Sequence, residues 1–230
     1  MRFQCTLAHP IPVIRRYFPE DLQAALEPAL ERALLAEVKK IVDAIPHSEL
    51  AIQWDCASAI FATLELGKPS RFGARREDMY GPLASRLARF GDAVPDGVDL
   101  IYHFCYGNSR GRHSVEPSSP RDAVMMAHAV RAALRPARSI ELIHLPVPIA
   151  RDDAAYYEPL RDLRLPAATR IALGLVHRAD GVAGTRRRID VARKALPEFA
   201  IATECGLSHL PDRGAVLDTL RLQAQLAGVV

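Results

Sequence analysis

Nowhere does the sequence carry an uninterrupted apolar run of membrane-spanning length, and its first residues, Met1 to Leu7, lack the charged start and long apolar stretch of a secretory signal. A membrane-embedded or exported protein is therefore not expected, and the cytoplasm is the expected compartment. An excess of one charge is also lacking. The 30 Lys and Arg residues against 27 Asp and Glu leave a formal charge of +3, too small an imbalance to imply nucleic acid or an anionic membrane as partner. Cysteine is scarce: Cys5, Cys56, Cys105 and Cys205 are all there is. Without an export signal they read as reduced thiols, not as a disulfide framework, and thiolate chemistry stays available. Low-complexity segments and interdomain linkers are absent too.

What is present is enough for one sizeable core. Hydrophobic residues make up 49% of the 230 positions and charged residues 25%, so residues 1–230 are expected to form a single domain. Phe3 to Leu7 reads as a short strand that the prolines of His9-Pro-Ile-Pro12 stop without an immediate helix. Residues 19–44 repeat apolar positions at helical spacing, with a break expected near Pro28. Leu50 to Asp55 is the next strand and delivers Asp55 to its C-terminal end, followed by helical or mixed structure to about Gly67. The stretch 68–82, rich in Pro, Gly and basic residues, reads as an exposed loop. A helix around 82–90 then leads to the apolar run Val98–Gly107.

Past a polar loop from Gly107 to Pro120, Arg121 to Leu134 is a helix and Ser139 to Leu145 a strand. Arg151 to Leu160 reads as a loop and short helix, with Asp152 and Asp153 solvated. Arg170 to Val176 is a strand ending at His177, Asp180 to Gly184 a turn, 185–196 a helix, Phe199 to Thr203 the last strand, and 212–227 the closing helix. Arg186-Arg-Arg188 reads as a solvated helix start. Six repetitions of strand then helix argue for parallel strands with functional side chains gathered at their C-terminal ends, as in a TIM-type (β/α) barrel. A complete barrel of that type has eight units, so this one is expected to be incomplete, with two exposed strand edges.

Side chains two apart on a strand share a face, so His103 and Cys105 point the same way from the end of the Val98 run. Neutral imidazole and thiolate are ligands for a soft divalent metal. Later strand ends able to complete such a site are Glu141 or His144, His177, and Cys205. For an isolated His-x-Cys the plainer reading is a core histidine beside a buried thiol; the ordered companions on later strands favour the metal site. Trp54, Tyr102, Cys5 and Cys56 read as core.

The segments Leu50-Ala-Ile-Gln-Trp-Asp55, Tyr102-His-Phe-Cys-Tyr-Gly107, His144-Leu-Pro-Val-Pro148, Leu173-Gly-Leu-Val-His177 and Ala202-Thr-Glu-Cys-Gly206, in this order, resemble the catalytic barrel of cobalamin-independent methionine synthase. The likeness is stronger still to the shorter proteins of that superfamily. It implies Zn²⁺ held by His103, Cys105 and Cys205. The family's glutamate ligand keeps its residue type at Glu141, whereas His144 sits where a strand of this length reaches the top face. The two point to opposite faces by parity and both stay open.

The resemblance further implies that Asp55 holds a substrate ammonium and that His177 is the general acid. For Asp55 the alternative is a helix N-cap, and for His177 a structural hydrogen bond. Glu204 would orient a ligand or lie on the surface. The implied activity is methyl transfer from a methylated folate, or another methyl donor, to a homocysteine-type thiol acceptor. The acidic residue that follows the family's aspartate is replaced here by Cys56-Ala-Ser-Ala59. Phe3 to His9 resembles the family's third strand, so the first two strand-helix units have no counterpart. Two readings of other classes follow: an impaired barrel serving as a binding or partner subunit, with self-association covering the open edges, and a decarboxylase of the porphyrin-binding branch, which leaves the strand-end cysteines unexplained.

Overall fold

The computed structural model describes residues 2–107 and 113–227. The elements run β1 (Phe3–Ala8), α1 (Pro10–Tyr17), α2 (Glu20–Ala44), β2 (Leu50–Cys56), α3 (Ser58–Leu66), α4 (Arg76–Asp92), β3 (Asp99–Phe104), α5 (Arg121–Ala133), β4 (Leu142–Pro146), α6 (Ala154–Tyr157), β5 (Arg170–Val176), α7 (Gly181–Ala192), β6 (Ala200–Thr203) and α8 (Arg213–Leu226). The six strands form one sheet in chain order. Every neighbouring pair is parallel. The architecture is therefore α/β, as the alternation predicts, and among the described residues β1 and β6 are not paired with each other. No described helix is long and apolar enough to cross a membrane.

Strand parity separates two faces. Ile52, Trp54 and Cys56 of β2, Leu100, Tyr102 and Phe104 of β3, and Ile143 and Leu145 of β4 belong to the hydrophobic core. Trp54 Nε1 donates to the Phe90 carbonyl of α4 at 3.2 Å and the Tyr102 hydroxyl to that of Leu87 at 2.9 Å, so this face lies under α4. The polar atoms of both large side chains are satisfied, as burial requires. The alternate positions, Asp55, His103 and His144, point to the opposite face.

Gly91 marks how closely α4 approaches β3. A Cβ at this position would run into the Tyr102 hydroxyl and the Leu134 Cδ2. Gly91→Ala is expected to lower unfolding free energy by roughly 1–3 kcal/mol through overpacking. A urea titration showing an unchanged midpoint would contradict this packing.

Several boundaries differ from expectation. α1 starts at Pro10 itself, with His9 as N-cap accepting from the Ile11 N–H at 3.3 Å. Proline is suited to the first helical position, where its missing N–H would be unpaired in any case. α2 runs unbroken through Pro28. Pro28 and Ala24, whose carbonyl loses its helical donor, are both exposed, so water can serve in its place. Further along, Glu27 is held by Arg86 at 2.7 Å and Glu31 by Arg89 at 2.5 Å, fastening α2 to α4. α4 begins at Arg76, well before residue 82, with Arg75 and Asp78 forming its N-terminal box. Arg188 is 1% exposed, not solvated. Its guanidinium binds Asp180 at 2.6 Å and the Leu175 and Ile149 carbonyls at 3.0 and 2.8 Å. Asp152 and Asp153 are exposed, as expected; Asp153 caps α6 by accepting from Tyr156 N and Asp152 pairs with Arg187 at 3.4 Å.

The edge strands are the wettest. Phe3, Gln4, Thr6 and Ala8 of β1 and Ala200 of β6 are exposed, whereas β3 is almost wholly buried. Unpaired strand edges normally invite cover.

Candidate metal centre

Three ligand-bearing side chains from the ends of β3 and β6 converge. One ligand atom from each of His103, Cys105 and Cys205 lies within 4.8 Å of the others. His103 and Cys105 share a face because they are two apart, and the β6 turn brings Cys205 to them. Gly206 makes that turn with φ 88°, a left-handed conformation that favours glycine. All four cysteines are free thiols. This group could hold a metal ion.

The electrostatics favour one thiolate of the pair. Cys105 and Cys205 are hydrogen-bonded; the bond draws the Cys205 thiol below its usual range and, with burial, pushes Cys105 well above it. Gly107 N–H also donates to Cys105 Sγ at 3.1 Å. Burial, reinforced by the adjacent His144, holds His103 well below the ordinary imidazole value. The same burial lowers His144 to about 4. Both rings are therefore neutral, the form in which histidine ligates metals.

The two alternatives for a fourth ligand are resolved unequally. Glu141 lies before β4, at the far end of the sheet from His103. Its N–H bonds the Leu100 carbonyl at 2.8 Å and its carboxylate pairs with Arg170 at 2.8 Å, so it is not part of the group. β4 begins at Leu142 and carries its C-terminal half upward instead. His144 is aligned with His103 across the ladder, and the two Nδ1 atoms are 2.8 Å apart. It stands beside the three-residue group as a hydrogen-bond partner of His103, the position from which a neighbour fixes a ligand histidine's orientation. His144 Nε2 is buried without a partner.

Asp55 sits at the end of β2, opposite His103 in the register. It is not a helix N-cap, since α3 is capped by Ala57 without a side-chain bond. Its Oδ1 is buried and unpaired, and burial raises its pKa from 3.8 to about 6. Because the folded-state value is raised, the cost of ionising Asp55 is absent below 3.8 and fully present above about 6. Asp55→Asn is therefore expected to stabilise the metal-free protein at neutral pH by roughly 1–3 kcal/mol, with no gain in acid. Denaturant titrations on either side of that window would decide it. Such a carboxylate is stored in a costly state, and a cationic ligand group would relieve it.

His177, just past β5, is 3% exposed. Its Nε2 lies 2.8 Å from the Val147 carbonyl and its Nδ1 3.3 Å from Glu204 Oε2. Both partners are acceptors, so the ring satisfies both only by donating from both nitrogens. A structural hydrogen bond is thus present, and Glu204 is tied to His177 rather than left free at the surface.

Beside Cys205 opens a cavity of about 480 Å³ lined by Arg178, Glu204, Cys205 and His209 together with Leu207, Leu210 and Pro211. Arg178 and His209 were not legible as site residues. Adjacency to His177 and to the Cys205-Gly-Leu turn was the only available signal.

No protein-family model matches the chain, and no curated protein matches it. Among solved structures it is similar to a Listeria monocytogenes protein described as a "Putative Vitamin-B12 Independent Methionine Synthase", with TM-score 0.56 and 17% identity over 98% of this chain. The chain spans 63% of the length of that protein. At this identity the likeness is one of fold, and it extends over the strands that carry His103, Cys105 and Cys205.

Proposed function

We propose that the protein is a Zn²⁺-dependent S-methyltransferase that activates a homocysteine-type thiol and accepts its methyl group from a methylated folate or a related N-methyl donor. The observation that carries this reading is the convergence of His103, Cys105 and Cys205. One imidazole and two thiols form a donor set suited to zinc in preference to magnesium or calcium, which favour oxygen. The methionine-synthase description of the structural neighbour agrees with it.

Zinc held by these residues would supply the positive charge that lowers the pKa of an incoming thiol toward neutrality. The chain's own groups do the rest. His144 holds His103 in place through Nδ1. Asp55, with its unpaired buried oxygen, accepts the substrate ammonium in a charge-assisted hydrogen bond. In the transfer a sulfur–carbon bond forms and the donor's nitrogen–carbon bond breaks. The thiol proton leaves to solvent, and the donor nitrogen needs one in return. His177 can provide it from Nδ1, whose contact to Glu204 is the longer of its two.

The reading is tested by calorimetry of L-homocysteine binding in buffers of different ionisation enthalpy. Zinc-loaded protein should bind the thiol with release of about one proton per site, as ionisation of a thiol demands. Chelator-treated protein should not. Equal binding with and without metal would dispose of the proposal.

A second reading has its own support in the unpaired edges of β1 and β6 and the exposure of β1. On it the chain works as a binding or partner subunit, or self-associates so that another copy covers the edges, within the cytoplasm in either case. Sedimentation showing a monomer with full thiol binding would remove its motivation.

A further inference from the structure

We infer that Arg188 is the positioning residue of His177: from α7 its guanidinium holds the irregular end of β5 in the register that sets the His177 ring between the Val147 carbonyl and Glu204. The bearing of this on catalysis rests on the reading of His177 as proton donor; the positioning itself does not. Between Leu173 and Val176 the pairing with β6 slips, so that Leu173 is level with Ile201 and Val176 with Thr203. Three steps along β5 thus match two along β6, the mark of a β-bulge, which re-aims the side chains beyond it. In an unslipped ladder Leu175 would meet Thr203, and Val176 would stand level with Glu204. The extra residue brings His177 to that place instead, where its Nδ1 lies 3.3 Å from Glu204 Oε2.

A bulge disrupts the ladder locally, so its geometry has to be held from outside the pairing. Arg188, 1% exposed, does this from two sides. Its Nε donates at 3.0 Å to the Leu175 carbonyl, inside the bulge and two residues before His177. Its Nη1 donates at 2.8 Å to the carbonyl of Ile149, two residues after Val147, whose own carbonyl lies 2.8 Å from His177 Nε2. One planar group therefore fastens both strand ends that the His177–Val147 contact bridges. The same guanidinium grips Asp180, the residue before α7, at 2.6 and 2.8 Å. Gly184 makes room for that grip: a Cβ there would collide with the Asp180 carboxylate. The clamp also reaches the metal group, because Glu204 N–H donates to the Val176 carbonyl at 3.3 Å and Glu204 precedes Cys205.

The test is nuclear magnetic resonance of the imidazole N–H protons in isotope-labelled protein, comparing wild type with Arg188→Gln and Gly184→Ala. It needs neither zinc nor substrate, so a failure of the methyl-transfer reading leaves it intact. Solvent exchange of the His177 Nε2–H is expected to accelerate by roughly tenfold or more in both variants, the equivalent of about one lost hydrogen bond. His9 is the internal control: buried against Trp54 and Phe90, it should keep its exchange rate. Arg188→Lys retains the charge without the fork and should fall between wild type and Arg188→Gln. An unchanged His177 rate in folded Arg188→Gln overturns the proposal. So does equal acceleration at His9 and His177, which would make Arg188 a general brace of the fold. If Arg188→Gln does not fold, Gly184→Ala, which displaces the Asp180 carboxylate without removing a charge, decides alone by the same criteria.

Discussion

Replacing Cys205 by serine is expected to abolish stable zinc binding, lowering affinity by at least about a hundredfold, because even losing a residue that only orients a ligand costs 10–100-fold. The reason lies in how few donors the group has. Among the described residues His103, Cys105 and Cys205 are the three whose ligand atoms converge, and deleting one leaves only two donors. Serine keeps the size and the turn at Gly206 but offers a hydroxyl, a poor ligand at neutral pH beside a thiolate. His103→Ala should have the same effect on the metal. It should also strand the His144 Nδ1 that lies 2.8 Å from His103, so it is expected to cost more stability than Cys205→Ser. Atomic absorption on purified wild type and both variants decides the matter: equal zinc in all three would eliminate this centre. Because Cys205 is only half-buried and lies on a loop, an intact thermal unfolding transition in the serine variant would show that metal loss is not a folding failure.

Much of this centre was legible because strand arithmetic is rigid. Two residues on one strand with one between them must share a face, so His103 and Cys105 needed no tertiary knowledge. Parallel alternation then put Asp55, His177 and Cys205 at the same end of the sheet. The choice between Glu141 and His144 was not legible, for a related reason: three positions apart, they exchange roles if the strand starts one residue earlier or later. What decides is the Arg170 partner of Glu141 and the ladder contact of His144 with His103, both belonging to other strands. Arg188 was misread because a run of three arginines looks solvated until Asp180 and two backbone carbonyls are known to surround it. The start of α1 was misread from a local rule applied too strictly, since proline ends a strand and begins a helix equally well.

Acid should weaken the fold steeply, and one residue outside the candidate site accounts for a measurable share of the slope. His9 is fully buried, with its ring edge-on to Phe90 at 4.8 Å between centroids. Burial lowers its pKa from 6.5 to about 3. Its Nδ1 caps α1, and its Nε2 is buried without a partner. The folded protein therefore keeps His9 neutral, while the unfolded chain protonates it as pH falls through 6.5. Between those two values the unfolded state binds the additional proton, so stability falls with falling pH by about 1.4 kcal/mol per pH unit from this group alone. The raised carboxyl of Asp55 acts in the opposite sense over its own range, but it is unchanged by a substitution at residue 9 and cancels in the comparison. His9→Asn keeps a capping acceptor and removes the titration. Its stability at neutral pH will drop through lost ring packing against Trp54 and Phe90. The informative quantity is the slope of unfolding free energy against pH below 6.5, which should become shallower by about 1.4 kcal/mol per unit. Parallel curves for the two proteins would mean that His9 reaches solvent and is protonated in place, and the packing of α1 against β2 and α4 would have to be drawn differently.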